Sequence, residues 1–263
     1  MKNQLTEEQI TQYRDNGFVM IEGFLDHDEL EIWRTNVDEA VAERLNTADR
    51  NLTNANADTY YAKVFLQCIK LADTHAGMRA LMHDPRLGQL AATLAGVDGI
   101  RIWHDQALIK PPFGNPTGWH LDNPYWSFYS KDAISLWVAL DDATLSNGCM
   151  WYIPGSHKTA RFQTVNIGSN ISDLFKGYPE WMEIAPVGCP CPAGSAVLHN
   201  GLTAHGAGAN MTNRQRRAMT CAYMPDGSTF NGQRNVLPEA YFESLKEGDP
   251  LVDNEVVPLI WPE

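Results

Sequence analysis

Trp119-His120-Leu121-Asp122-Asn123-Pro124-Tyr125 places a histidine and a carboxylate two residues apart. In extended backbone alternate side chains leave the chain on the same side, so His120 and Asp122 project together. An imidazole nitrogen and a carboxylate oxygen can then grip one metal ion. A histidine from farther along the chain would complete the two-histidine, one-carboxylate face that leaves open positions on non-haem Fe(II). His205, within Leu202-Thr203-Ala204-His205-Gly206-Ala207-Gly208-Ala209-Asn210, is the candidate. Read alone, the His-x-Asp spacing also fits a surface loop, because short motifs match by chance.

The composition narrows the field. The chain has 263 residues, 44% hydrophobic and 20% charged, ordinary for a globular protein with a sizeable core. All-β barrels and sandwiches of this length commonly form one domain. A formal net charge of -12 and a pI near 5.0 argue against nucleic-acid or anionic-membrane partners. No apolar run is long enough to span a bilayer, and Met1 to Glu8 is too polar for a signal peptide. A cytoplasmic location is the expectation. The five cysteines include Cys68, Cys149 and Cys221 in apolar surroundings, which reads as buried free thiols. Cys189-Pro190-Cys191 is too tight for a redox pair and has no second pair to make a zinc site.

Along the chain, Thr6-Glu7-Glu8-Gln9 predicts a capping box that opens a helix with Ile10 and Tyr13 inward. Phe18 to Ile21 reads as a short strand. Asp26 caps an acidic helix to about Leu45, with Leu30, Trp33, Val37 and Val41 on its buried stripe. On that helix the His27-x-Glu29 spacing is no metal pair, since positions i and i+2 diverge. Residues 46–58 read as a polar loop. Tyr60–Ala72 and Pro85–Leu94 read as helices, the second closed by Gly96. From Ile100 the pattern becomes short β-branched and aromatic runs between Gly, Pro and Asn clusters. The runs are Arg101–Ile109, Ala133–Ala139, Met150–Ile153, Glu183–Pro186, Ser195–His199 and Ala218–Tyr223. The expected fold is mainly β with N-terminal helices, a double-sheet jelly roll forming the core. It is one domain: a helical part over 1–99, the jelly roll over 100–225 and an extension over 226–263.

Arg214, Arg216 and Arg217 follow the distal histidine and lead into a strand. An arginine held inside a barrel needs an anion, and its planar fork suits a carboxylate. A dicarboxylate that chelates iron at one end and meets arginine at the other has the shape of 2-oxoglutarate. The sequence here resembles the phytanoyl-CoA dioxygenase family of Fe(II)/2-oxoglutarate oxygenases. The matching blocks are Leu108 to Pro112, Trp119 to Asp122, Ser135 to Asp142, Ser146 to Met150, Ile153 to Lys158, His205 to Asn210 and Arg216 to Ala218, preceded by Glu8 to Val19. The resemblance implies a double-stranded β-helix with iron on His120, Asp122 and His205. It puts the 2-oxoglutarate carboxylate on Arg216, with Trp137 and Gln106 lining the cosubstrate pocket. Where the family often has a serine, two residues after the distal histidine, this chain has Ala207. The implied chemistry uses Fe(II), 2-oxoglutarate and O2 to hydroxylate a C–H bond of a small molecule, releasing succinate and CO2. Asp122 favours hydroxylation, because halogenating relatives carry a small residue there. Two other classes fit parts of the pattern: a cupin-type metalloenzyme that uses no 2-oxoglutarate, and a non-catalytic 2-oxoglutarate-binding regulator.

The remaining candidates divide by face. In Trp103 to Leu108, residues 104, 106 and 108 share a side, so His104 looks inward if Gln106 does. His104 is then a substrate contact or a satisfied core histidine. His199 is not placed with His205 on the metal face. His157, in a turn, reads as a stabilising side chain, and His75 and His83 as surface residues. Of Tyr125, Trp126, Phe128 and Tyr129, one or two are expected in the pocket wall. Residues 161–181 read as an insertion over the mouth, and Gln233, Arg234 and Asn235 as a polar cluster that reaches the opening or forms a solvated loop. A monomer or small homo-oligomer is expected.

Overall fold

The computed structural model describes residues 1–46, 52–55, 57, 59–165 and 167–262. Helix α1 (Glu7–Asn16) opens with the Thr6–Gln9 capping box and ends at Gly17. Strand β1 (Phe18–Ile21) and helix α2 (His27–Asn46) follow. The α2 stripe is buried as the periodicity predicts, at Leu30, Trp33, Val37 and Val41. The loop expected at 46–58 lies in large part outside the described residues. Tyr60–Ala72 is not a helix. Strand β2 (Leu66–Ile69) sits there between two short 3-10 turns. Its residues pair with Gln106–Ile109, so a long-range ladder overrides a local apolar spacing that looked helical.

Helices α3 (Ala76–Met82) and α4 (Pro85–Ala95) complete the helical part, with Gly96 closing α4. His75 and His83 are half-buried rather than on the surface, and His75 caps α3 by accepting the Met78 amide. The strands then run β3 (Ile100–Lys110), β4 (Thr117–His120), β5 (Ile134–Ala139), β6 (Met150–Tyr152), β7 (Val187–Cys189), β8 (Ala196–Asn200), β9 (His205–Ala207) and β10 (Arg216–Pro225). β11 (Leu259–Trp261) comes last. The run expected at Glu183–Pro186 is displaced: a 3-10 turn ends at Glu183 and the strand begins at Val187.

Two antiparallel sheets form the jelly roll. The larger has the order β1-β8-β5-β10-β3-β11, with β2 also on β3; the smaller has the order β4-β9-β6-β7. The larger sheet is covered on its outer face by the helices. Leu136, Val138, Met219 and Cys221 point into one core with Trp33, Val37, Leu90 and Leu94. Its inner face meets the small sheet through Phe18, Trp137, Ala139, Met150, Tyr152, Val197 and Ala218. Burial on both faces explains why β5 and β10 are apolar almost throughout rather than alternating.

Register sets what faces the space between the sheets. On the large sheet His199, Ser135, Ala222 and His104 make one transverse row. The next row is Val197, Trp137, Thr220 and Gln106. Arg216 pairs with Lys110 farther along. On the small sheet His120, His205 and Tyr152 form one row, and Thr117, Ala207 and Met150 another.

Candidate active site

The end of β4 delivers His120, and the chain then turns so that Asp122 amide donates to Gly201 carbonyl (3.0 Å). His205 opens β9, directly opposite His120. Each imidazole is oriented from behind: His120 Nδ1 lies 2.9 Å from Gly118 O, and His205 Nδ1 lies 2.9 Å from Thr203 O. A carbonyl can only accept, so both Nδ1 atoms carry the proton and both Nε2 lone pairs face inward. Asp122 Oδ1 stands 3.6 Å from His120 Nε2 and 3.5 Å from His205 Nε2. Three ligand atoms thus converge within 4.8 Å of one another.

Asp122 Oδ2 is tied back. Ser135 Oγ donates to it at 2.6 Å, and His199 Nε2 stands 3.1 Å away. The other nitrogen of His199 is 3.1 Å from the Tyr152 hydroxyl. The pattern is consistent with Tyr152 donating to His199 and His199 donating to Asp122. His199 therefore faces the site, where the sequence alone leaves it out. Residues 201–204 turn the chain between β8 and β9, so His199 and His205 lie on different sheets and both face the site. Burial alone would raise the Asp122 pKa, but His205, His199 and His120 hold it well below the usual carboxylate range.

His104, His120 and His205 are each pushed down to about 4, in every case first by burial. Neutral rings leave the lone pairs available to a metal at pH 7. An unfolded imidazole titrates near 6.5, so between there and about 4 the unfolded chain binds more protons than the folded one. Folding stability is therefore present above that window and lost as pH falls through it. Chelator-treated protein should show a falling Tm by circular dichroism from pH 7 to 5, and His104→Leu should make the fall shallower. A flat Tm over that range would contradict the buried, neutral state of these rings.

At the other end of the space, Arg216 is buried, and Nη2 donates to Gly148 O (3.0 Å). Nε and Nη1 have no partner. The guanidinium lies over the Trp137 ring, 5.2 Å from its centroid, and burial pushes its pKa down to about 10, still charged at neutral pH. Gly148 has φ of 90°, and a Cβ there would lie 2.6 Å from Gly208 O, so only glycine presents its carbonyl to Arg216 in this way. Lys110 Nζ, beside Arg216 in register, donates instead to Val64 O and Asn115 O. Arg214 is exposed, and Arg217 pairs with Asp141 (2.7 Å) and Asp38 (2.6 Å). Opposite Ala207, Thr117 offers a buried hydroxyl without a partner.

A cavity of about 240 Å³ joins the two ends. Gln106, Trp137, Thr117, Thr220 and Ala207 line it towards Arg216. Gln106 Oε1 accepts from Gln67 Nε2. His104, Tyr125, Trp126, Tyr61, Phe65, Asn235 and Val236 also line it. Tyr125 and Trp126 therefore serve the wall, whereas Phe128 is core and Tyr129 is exposed. The 161–181 segment contributes Ile167 and is tied to Tyr125 by the hydrogen bond to Val165 O. Of the C-terminal polar cluster Asn235 reaches the cavity, while Gln233 amide nitrogen donates to Tyr129 Oη. His157 Nε2 sits 3.2 Å from Arg14 O and stabilises the fold, away from the cavity. Sequence reasoning gave no hint of Tyr61, Phe65, Gln67 or Val236, which arrive from remote segments.

A jelly roll with a His-x-Asp and distal His face at one end of its cavity and a lone buried arginine towards the other has the layout of iron- and 2-oxoglutarate-dependent oxygenases. The sequence pattern of the phytanoyl-CoA dioxygenase family matches residues 13–218, and the chain belongs to that family. Phytanoyl-CoA dioxygenase domain-containing protein 1 of Bos taurus is 26% identical over 289 residues, covering 92% of this chain and 98% of its own. The crystal structure of SnoK, a non-haem alpha-ketoglutarate-dependent carbocyclase from nogalamycin biosynthesis, superposes with a TM-score of 0.80 at 27% identity, covering 97% of this chain and 96% of its own. The epimerase SnoN, solved with Fe3+, alpha ketoglutarate and nogalamycin RO, gives 0.76 at 27% identity, covering 97% and 98%. Among the described residues no helix is long and apolar enough to cross a membrane.

Proposed function

We propose that this protein is an Fe(II)- and 2-oxoglutarate-dependent oxygenase that hydroxylates a C–H bond of a small-molecule substrate and releases succinate and CO2. The observation that carries the reading is the unpaired Arg216 guanidinium, buried in the same cavity as the His120–Asp122–His205 face. A desolvated cation without an anion is costly, and a short dicarboxylate that reaches the metal face supplies one. Arg216 starts farther along β10, but its guanidinium lies over Trp137, which is in the row next to that of Ser135 and His199, and adjacent inward rows are about 7 Å apart.

His120 Nε2, His205 Nε2 and Asp122 Oδ1 would hold the iron. When bound, Fe(II) supplies O2 activation coupled to oxidative decarboxylation of 2-oxoglutarate. The chain's own contribution is positional. Ser135 and His199 fix the carboxylate so that one oxygen faces the metal. Trp137 flanks Arg216, and Gln106, steadied by Gln67, borders the cosubstrate end. Tyr125, Trp126 and Phe65 exclude water from the reacting bond. Because Asp122 fills the third protein position, no site is left there for a halide, which favours hydroxylation.

With Fe(II), 2-oxoglutarate and O2 alone, the protein should form succinate slowly, and a chelator should stop it. Absence of any 2-oxoglutarate consumption, with tight 2-oxoglutarate binding retained, would point to the non-catalytic regulator. Metal binding without 2-oxoglutarate binding would point to the cupin-type metalloenzyme.

A further inference from the structure

Resting on that reading, the charge of the cavity wall says what kind of substrate the site takes. The charged side chains that line the cavity among the described residues are Asp122 and Arg216. Once iron and 2-oxoglutarate are in place, the two positive charges of iron and the one of Arg216 are balanced in sum by Asp122 and the cosubstrate's two carboxylates. Among the described residues, the wall left to the substrate then holds no counter-charge for an ion. It is built mainly from Tyr61, Phe65, Tyr125, Trp126, Ile69 and Val236, with Gln67 and Asn235 as uncharged polar side chains among them. An ionic substrate would lose its hydration there without replacement, whereas a flat apolar body would gain by burial.

One polar side chain in this wall has a ring nitrogen without a hydrogen-bond partner in the protein. His104 is 9% exposed, lines the cavity, and its Nδ1 has no hydrogen-bond partner. Its ring stands edge-on to Trp126, with centroids 6.3 Å apart. It shares the transverse row of Ser135, whose hydroxyl holds the Asp122 carboxylate, and so lies level with the metal face rather than with Arg216. Buried polar groups in native proteins are nearly always paired, and one left without a partner in a cavity wall is a place for a ligand atom.

We propose that the substrate is an uncharged molecule with a flat apolar body bearing a hydroxyl or carbonyl oxygen, and that His104 orients it by a hydrogen bond. His104 is a specificity residue in this scheme: it touches substrate and takes no part in holding metal or cosubstrate.

The test uses the neutral probe 2-naphthol and the anionic probe 2-naphthoate, which share one flat ring system, on the full chain loaded anaerobically with Fe(II) and 2-oxoglutarate, with binding read by calorimetry. Wild-type protein should bind 2-naphthol at least about tenfold more tightly than 2-naphthoate, the order expected when an ion finds no partner. His104→Leu should weaken 2-naphthol about tenfold, and His104→Gln should recover most of the loss. Neither variant should shift 2-oxoglutarate affinity more than about twofold, since additivity holds for groups without shared partners. Equal or tighter binding of 2-naphthoate, no binding of 2-naphthol, or an unchanged affinity in His104→Leu overturns the proposal. The underlying reading fails separately, if wild-type protein with Fe(II) does not bind 2-oxoglutarate at all.

Discussion

Replacing either His120 or His205 by alanine is expected to abolish Fe(II) binding and, with it, turnover. The two Nε2 atoms and Asp122 Oδ1 are the set of histidine and carboxylate groups that converge within 4.8 Å among the described residues. Two protein ligands do not hold a labile divalent ion firmly. Among the described residues no spare ligand is poised to step in. His199 Nε2 is 3.1 Å from Asp122 Oδ2, and its Nδ1 is 3.1 Å from the Tyr152 hydroxyl, so both nitrogens are occupied. His199→Ala should behave differently. It removes one of the two hydrogen bonds to Asp122 Oδ2 and leaves the one from Ser135, and outer-partner losses typically cost about 10–100-fold in metal affinity. Anaerobic Fe(II) titration against a competing chelator reads all three variants. His120→Ala or His205→Ala binding iron as the wild type does, or a crystal with metal on His199 or His104, would sink the assignment.

The contrast between His199 and its neighbours shows how far the sequence reaches. His120, Asp122 and His205 were visible because their chemistry is local: a strand-borne pair and a histidine in a glycine-rich segment. His199 was misjudged because spacing along the chain does not decide how residues on different strands face, and the turn at 201–204 moves the chain from one sheet to the other. Its place in the row with Ser135 is a matter of register, which no single strand encodes. β2 was hidden for a related reason. Its apolar spacing suited a helix, and pairing with β3 decided otherwise. That pairing places Gln67 beside Gln106 and carries Ile69 into the cavity wall. The jelly roll itself was legible from the alternation of β-rich runs with turn residues after Ile100. Side chains from remote segments, such as Tyr61 and Val236, enter the wall only through tertiary packing.

Arg216→Ala is expected to lower the affinity for 2-oxoglutarate by well over tenfold while leaving Fe(II) binding intact. Three arginines crowd the start of β10, and parity alone separates only Arg217 from the other two. Their surroundings now differ sharply. Arg214 is exposed, and Arg217 is held by Asp141 and Asp38 on the outer side. Arg216 is 2% exposed, over Trp137, with Nε and Nη1 unpaired. Removing it strands one carboxylate of a bound dicarboxylate in a dry cavity, a loss of roughly 2–5 kcal/mol for a buried charge pair broken on one side. Lys110 does not replace it. Burial, and then the neighbouring Arg216, pushes the Lys110 pKa down to about 7, and its ammonium is already committed to Val64 O and Asn115 O. Arg216→Lys should also bind poorly, because a point charge lacks the planar fork and the stacking on Trp137. Arg214→Ala should be silent. Arg217→Ala should lower Tm through the lost Asp141 contacts but leave 2-oxoglutarate affinity near wild type. Calorimetric titration of 2-oxoglutarate into metal-loaded protein separates these outcomes. Normal binding by a folded Arg216→Ala variant would remove the cosubstrate anchor and favour a metalloenzyme that uses no 2-oxoglutarate.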